Sequence, residues 1–474
     1  MLALTLTLVV TASPNLLTIL AAVAAVVALS RDKRLDWLSA AALVAISLPW
    51  GRGADTLTYE LAGLPLRPHD VVLLVGILGA LPVLRRRRPA VSPTLVLTLG
   101  LLLLGLVGVV VGVLVGNDLR DLVRDVRWWG LYAVVVLALA GATTRPKILR
   151  GLFAGLTVFA VVLAVASILP AFSGGLKDQE LTYDRGVLRM QFGNSAFLLV
   201  GIAYGAARLL EKASLRLAAW VTLLGATVVL SLTRTSIAAS ILVAALVLLL
   251  TLVRRANSGP SLRGLVGRIG ILGACAVIAL VAGLALDIGG TPNLTGDDGS
   301  AAAGSGGGGG AGAPVDRLLL QGQGADLGSL EEGRFPSYRA AIAVIVARPI
   351  TGAGMGSLVD VAYAYSEARA HTPRHSPGVD NAYLTFGIKT GVPGMLLFGV
   401  LMLMTLLVAW RRGGRTRIWF VPAWIGIGVL TMTQAFAVSF YGPFPLALLI
   451  AYPVLAWQAS PVGRAGTQSG RPAA

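Results

Sequence analysis

The sequence is poor in what a soluble active site is usually built from. Only 13% of its 474 residues are charged, where soluble domains carry about 25%. A single cysteine, Cys275, allows no intramolecular disulfide and no thiolate metal cluster. With three histidines (His69, His371 and His375) the sequence argues against a multi-histidine metal site, and no metal or cofactor is expected. Long segments of alternating polar and apolar residues, the mark of a membrane β-barrel, are missing. Together with the long apolar runs, these absences exclude a soluble enzyme, a disordered chain and a coiled coil, and they argue against a barrel.

What is present is hydrophobic sequence, 56% of the chain. It arrives in runs of roughly 17–25 residues, enough to cross a hydrocarbon layer of about 30 Å. The fold class is therefore all-α, a polytopic transmembrane helical bundle. Spans are predicted at 3–29, 36–50, 70–84, 94–116, 128–142, 151–170, 194–210, 217–233, 235–253, 269–288, 381–410, 418–440 and 443–458. Pro14 can divide the first run, which is read as retained and not as a cleaved signal, so the count is 12–14.

Orientation follows from charge. The segments 31–36, 85–88, 143–150, 208–216, 254–268, 411–417 and the tail 459–474 hold 23 Lys and Arg against 3 acids, and are assigned to the cytoplasm. The opposite side holds 15 Lys and Arg against 19 acids. The net charge of +17 is thus mostly a topology signal, and no basic patch interleaved with aromatics points to nucleic acid.

The chain divides into N-terminal spans over 1–184, central spans over 185–288, a glycine-rich flexible tether over 289–314, an extracytoplasmic loop over 315–380, C-terminal spans over 381–458 and the tail. The tether includes AAAGSGGGGGAGAP, which cannot build a core. In the loop, apolar spacing through Tyr338, Ile342, Ile345 and Val346 predicts a helix of about 12 residues at the outer membrane surface, ended by Arg348-Pro349.

Charges at membrane depth or at its rim are costly unless used or neutralised. Arg234 interrupts LSLTRTSIAAS between two apolar runs; it either caps a tight outer turn, snorkelling to headgroups, or binds an anion. Arg339 lies on the loop helix, as a solvated charge or as a ligand-binding one. Arg189 precedes Phe192-Gly193-Asn194-Ser195, which reads as a loop ending in an N-cap. Asp380-Asn381 is a second N-cap pair, and a helix N-terminus there favours an anion such as phosphate. Pro393 fits the first turn of a new helix, so 381–390 forms a short segment joined by a bend at Gly391 to Gly394. Lys389 then need not sit in hydrocarbon.

Asp380-Asn381, nine residues, then Gly391 and Gly394 resembles the signature of the O-antigen ligase and O-antigen polymerase superfamily. LSLTRTSIAASILVAAL (230–246), GRFPSYRAAIAVIVARPITGAGMGSL (333–358) and VLRMQFGNSAFLLVGIA (187–203) resemble its other motifs, in the family's order. The resemblance covers roughly 185–410. It implies a metal-independent glycosyltransferase of the bacterial cytoplasmic membrane with an outward-facing site. The implied donor is a polyprenyl-diphosphate-linked glycan, and the acceptor is a sugar hydroxyl on a glycan or glycolipid. Arg234 and Arg339 match the arginines that hold the donor diphosphate, and Arg189 is a weaker match. Guanidinium forks suit that role, since a diphosphate leaving group gains negative charge as the glycosidic bond breaks.

Ligases begin the signature with His-Asn, whereas this sequence has Asp380. The general base is then Asp380 itself, His375 or His371 from the loop; alternatively Asp380 is only part of a cap. The departure tilts the reading toward a polymerase or a ligase for another acceptor. A transporter or flippase without chemistry is the alternative, but the paired broken helices of two related halves are not found. Nor are the hallmark motifs of a peptidoglycan-type polymerase.

Overall fold

The computed structural model describes residues 59–61, 64–66, 92–133, 181–184, 187–190, 195–230, 234–256, 263–289, 334–361, 374–433, 437 and 443–458. The predicted spans at 3–29, 36–50, 70–84 and 151–170, nearly all of the tether, and His371 lie outside these residues.

Three short antiparallel hairpins occur among the described residues: β1 (Tyr59–Leu61) with β2 (Leu64–Leu66), β3 (Leu181–Asp184) with β4 (Val187–Met190), and β5 (Val359–Val361) with β6 (Arg374–Ser376). Everything else of regular structure is helical. The elements are α1 (Pro93–Val115), α2 (Leu119–Gly130), α3 (Ser195–Glu211), α4 (Leu215–Leu230), α5 (Arg234–Ala256), α6 (Arg263–Gly289), α7 (Arg334–Ala347), α8 (Ala382–Arg412), α9 (Arg417–Thr433) and α10 (Pro443–Gln458). Helices α1, α5, α6 and α8 contain stretches long and apolar enough to cross a membrane. Exposed Leu103, Leu106, Val110 and Leu114 on α1, and Val277 and Val281 on α6, are the surface such helices offer to lipid.

The predicted spans at 94–116, 194–210, 217–233, 235–253, 269–288, 381–410 and 443–458 coincide with α1, α3, α4, α5, α6, α8 and α10 over their described residues, and two others are described in part. Of 418–440, residues 418–433 are helical in α9, and of the rest only Ala437 is among the described residues. Residues 128–130 belong to α2, and a turn at Leu131 and Tyr132 follows it. Helix α2 reads LRDLVRDVRWWG and is amphipathic; its Asp118 cap accepts the N–H groups of Arg120 and Asp121 at 2.7 and 3.3 Å. At 12 residues and five charges it is too short and too polar to span.

Helix directions follow from side-chain contacts. Helices α8 and α9 are antiparallel, joined by Gly413 and a tight 3-10 turn at Gly414–Thr416. Gly426 of α9 approaches Leu199 of α3 and Val243 of α5, while Trp419, two turns earlier, meets Tyr204 edge-on at 5.9 Å. So α3 descends as α9 rises. Near the α3 C-terminus, Arg255 of α5 donates to the carbonyl of Leu210 at 2.9 Å, and Arg254 pairs with Glu211 at 3.6 Å. The C-termini of α3 and α5 therefore share an end with the α9 N-terminus. That end collects Arg208, Arg254, Arg255, Arg268, Arg411, Arg412, Arg415 and Arg417. The opposite end carries the N-termini of α5 and α8 and the C-terminus of α9.

Core packing is tight where small residues let backbones meet. Helix α3 sits at the centre, with Leu198, Leu199, Ala203, Ala206 and Leu210 buried. On the other side of α8, Gly108 and Gly112 of α1 face the backbone of Lys389 and Met355; a side chain at 112 would strike Met355, and one at 108 would press on Lys389 and Thr390.

Candidate functional site

Asn381 is the residue that caps α8. It is extended (φ −154°), its Oδ1 accepts the Leu384 N–H at 3.1 Å, and its Nδ2 donates to the carbonyl of Met432 at 3.0 Å. One side chain thus starts α8 and ties it to the last turn of α9. Asp380 lies one residue outside the helix, and its carbonyl accepts the Tyr338 hydroxyl of α7 at 3.0 Å. The expected cap pair is therefore a single cap with a neighbour that anchors the loop helix.

Helix α7 packs on α8 through Ser337, Ala341 and Ile345, with Ile345 set over Gly387. This differs from the expected apolar face: Ile342 and Val346 are exposed. Glycine at 387 lets the small-residue stripe dock, which turns the bulkier apolar residues outward. Arg339 is exposed on α7, next to the Tyr338 that reaches Asp380.

Arg234 is the first residue of α5, and no acid lies in that helix's first turn. Its height follows from the Gly426 contact with Val243. Moving from 426 to 433 on α9, or from 243 toward 234 on α5, climbs roughly 10–13 Å at 1.5 Å per residue. The α5 N-terminus is therefore level with Met432, and so with the Asn381 cap. Arg189 lies on β4 opposite Thr182, and His375 lies on β6 opposite Asp360, five residues before Asp380. Asn381, Asp380, Tyr338 and Arg339 are thus held together by hydrogen bonds and chain neighbours, with the start of α5 at the same level.

Behind the cap, α8 bends as expected. Gly391 takes a left-handed φ of 73°, and the N–H of Val392 donates to the Pro349 carbonyl at 2.7 Å. The turn after α7 also has left-handed glycines at 352, 354 and 356. A Cβ on any of them would meet backbone of Ile388, Gly112 or Leu122 respectively. Hydrogen bonds fasten this turn on three sides: Ala353 N–H to Ile388 O at 2.7 Å, Met355 N–H to Gly108 O at 2.8 Å, and Asn117 Nδ2 to the carbonyls of Ala353 and Met355 at 3.1 and 2.9 Å.

A charged pair that the sequence reading did not connect completes the fastening. Lys389 Nζ lies 2.6 Å from Asp125 Oδ2, with both side chains buried, and also donates to the Ser357 carbonyl. The same Oδ2 accepts the Gly356 N–H at 2.8 Å. The signal available beforehand was a lysine inside an apolar run; nothing in its own segment identified the partner. Asp125, Lys389, Trp128, Trp129, Tyr132, Met355, Pro377, Thr385 and Ala437 line a small cleft just inside the capped end. Among the described residues no cluster of three or more His, Cys, Asp or Glu has metal-binding geometry.

Comparison with known families adds one match. Residues 217–399 fit the family model described as O-antigen ligase, a segment running from α4 through the bend of α8. No curated protein matches the chain.

Proposed function

Starting from membership of the O-antigen ligase superfamily, carried by residues 217–399, we propose that this protein transfers a polyprenyl-diphosphate-linked glycan to an acceptor sugar hydroxyl at the outer membrane face. The family implies glycosyltransfer of the ligase or polymerase type. The donor, the acceptor and the side of the membrane are the proposal.

The observation that carries it is the junction at Asn381. There a capped helix N-terminus, the loop helix bearing Arg339 and the level of Arg234 coincide at the end opposite the arginine-rich loops. By the positive-inside rule those loops are cytoplasmic, so the junction faces outward. Backbone N–H groups at a helix start and two guanidiniums suit a diphosphate that gains charge as the anomeric C–O bond breaks. The acceptor hydroxyl attacks the anomeric carbon, its proton passes to a base, and polyprenyl diphosphate leaves. Asp380 and His375 are the candidate bases in this scheme, with Arg189 as an auxiliary contact to the donor.

The test uses membranes containing the full chain, a polyprenyl-diphosphate glycan and an acceptor glycan. Transfer is expected, and reporters fused after Pro314 and after Arg412 should read extracytoplasmic and cytoplasmic respectively. A donor moved across the bilayer without forming a new glycosidic bond would favour a flippase. Reversed reporters would put the junction on the wrong side for this chemistry.

A further inference from the structure

Helix α7 leaves one side uncovered. Ser337, Ala341 and Ile345 pack inward, while Arg339, Ile342, Ala343, Val346 and, just past the helix end, Ile350 are exposed. Their spacing of three and four residues puts them on one stripe. Its large apolar members, Ile342, Val346 and Ile350, are 48%, 71% and 75% exposed. Arg339 is the charge that heads the stripe; Arg348, near the lower end, falls on the α8 side of the helix.

Contacts along α8 give the depth of this stripe. The Tyr338 hydroxyl bonds to Asp380, Ile345 sits on Gly387, and the Pro349 carbonyl accepts from Val392. So α7 runs parallel to the first segment of α8, from the cap down to the bend. Helix α1 runs antiparallel beside the same segment, with Gly100 against Leu397 and Gly108 against the Lys389 carbonyl. Continuing that register, the Asn381 cap is level with Gly116, which caps α1. Arg339 therefore stands at the outer end of the apolar run of α1, Pro93–Val115. Val346 is level with Val110 and Ile350 with Leu106, roughly 8 and 13 Å inside that end at 1.5 Å per residue. Over this stretch α1 exposes Leu106 by 64%, Val110 by 58% and Leu114 by 80%. The stripe of α7 shares its depth with the surface that α1 offers to lipid.

The sequence predicts a helix lying at the membrane surface; these contacts set it along α8 instead. We propose that α7 is immersed in the outer leaflet, with lipid chains covering Ile342, Val346 and Ile350 and Arg339 held at the level of the lipid phosphates. Water is a poor neighbour for such a stripe, and apolar residues headed by a cation complement a lipid with an anionic head. Arg348, on the other side, has a side chain long enough to snorkel outward. The junction at Asn381 then opens sideways to the leaflet, and a lipid-borne phosphate reaches Arg339 without leaving the bilayer. Immersion does not rest on the transferase reading. The two share only the side of the membrane, which the reporters after Pro314 and Arg412 fix.

The test is spin labelling of the full chain in phosphatidylcholine nanodiscs. Cys275→Ala removes the one native thiol, and Arg339→Cys, Ile342→Cys, Val346→Cys or Ile350→Cys then supplies a single labelled site. Each label's collisions with oxygen, which concentrates in hydrocarbon, are compared with those of a water-soluble nickel chelate. Labels from Leu106→Cys and Val110→Cys calibrate depth within the same molecule. The label at 350 should match the one at 106, the label at 346 should match the one at 110, and that at 342 should lie shallower. With nickel carried on a lipid headgroup, relaxation should be strongest at 339 and fall steadily toward 350. Free access of the soluble chelate at 346 and 350 would overturn the proposal by placing α7 in water. Low collision with both reagents would overturn it as well, since protein from this chain or a second copy would then cover the stripe. These readings involve no glycan transfer, so a chain that is immersed but inactive keeps this inference and loses only the transferase reading.

Discussion

The two ends of the helical bundle use arginine in opposite ways. At the end holding the C-termini of α3 and α5, basic side chains complete helices. Arg255 and Arg268 both donate to the carbonyl of Leu210, at 2.9 and 3.0 Å, and Arg208 pairs with Glu211 at 2.9 Å. Unpaired carbonyls and the negative end of the dipole favour cations there. At the other end, Arg234 occupies the first position of α5, where the dipole disfavours a cation and no first-turn acid offsets it. Arg339 stands exposed on α7. The contrast teaches that the carbonyls it caps account for an arginine at a helix C-terminus, whereas an N-terminal position alone does not mark a ligand site, since Arg417 opens α9 at the basic end, also without a first-turn acid; Arg234 differs in its level with the Asn381 cap.

The polar end also holds the largest buried charge interaction among the described residues, and the comparison between ends is broken most directly there. Asp125→Ala leaves the Lys389 ammonium buried without its carboxylate and should destabilise by about 3–5 kcal/mol, whereas Lys389→Ala leaves Asp125 the longer Arg124 contact of 3.6 Å and should cost less. The double change Asp125→Leu with Lys389→Met should recover most of that stability, because two desolvated charges are replaced by apolar packing. Thermal unfolding in detergent, followed by helical circular dichroism, checks both. Singles that cost no more than surface changes would show that the glycine-rich turn is held without the pair.

That pair also marks how far the sequence could be read. Each span from α3 onward, the bend at Gly391, the loop helix and the cap at Asn381 were legible, because all are local: apolar run length, glycine, proline and a capping side chain. The partner of Lys389 was not. Asp125 lies on an amphipathic helix far earlier in the chain, and only tertiary packing of α1, α2 and α8 brings it near. The packed face of α7 was misjudged for a related reason. Periodicity finds apolar residues, but Gly387 on the neighbouring helix decides which of them dock. Among the candidate residues, Asp380 and Asn381 adjoin the helix that bears Arg339 through the Tyr338 hydroxyl bond, whereas the shared height of Arg234 emerges only from the order of contacts along α9.

The next effect in size concerns the proposed diphosphate clamp. Arg234→Ala and Arg339→Ala should each slow transfer on the order of 10²-fold, the scale of one lost electrostatic contact to developing charge. Lysine at either position should rescue only in part, because a point charge cannot reproduce the bidentate fork. The double mutant should lose less than the product of the singles, since one clamp is dismantled twice. Rates are measured with membrane insertion confirmed. Two active single mutants would remove the functional difference between the ends.

Asn381 joins structure and site, and its loss should be smaller. Asn381→Ala removes the cap and the tie to Met432, for about 1 kcal/mol of stability. Asn381→Ser restores the cap but not the amide N–H to the Met432 carbonyl. Unfolding midpoints should therefore rank wild type, then serine, then alanine. Alanine equal to wild type would mean that α8 is held in place by the glycine-rich turn alone.

The smallest effect is predicted at the basic end, and it sharpens the comparison most. Arg255→Ala deletes a donor to Leu210 O, but Arg268 donates to the same carbonyl, so no acceptor is left bare. The lost contact is part-buried and neutral at its acceptor, worth about 0.5–1.5 kcal/mol at most. With the second donor in place the cost should fall near the lower figure. Transfer should stay within a few-fold of wild type, because no arginine at this end is assigned to substrate. Arg255→Ala and Arg339→Ala remove the same charge from the same protein, so overall electrostatics cancel between them. The ratio of their transfer rates then isolates position: a large ratio keeps the two ends distinct. A ratio near one would mean that arginine count, and not the junction at Asn381, governs activity.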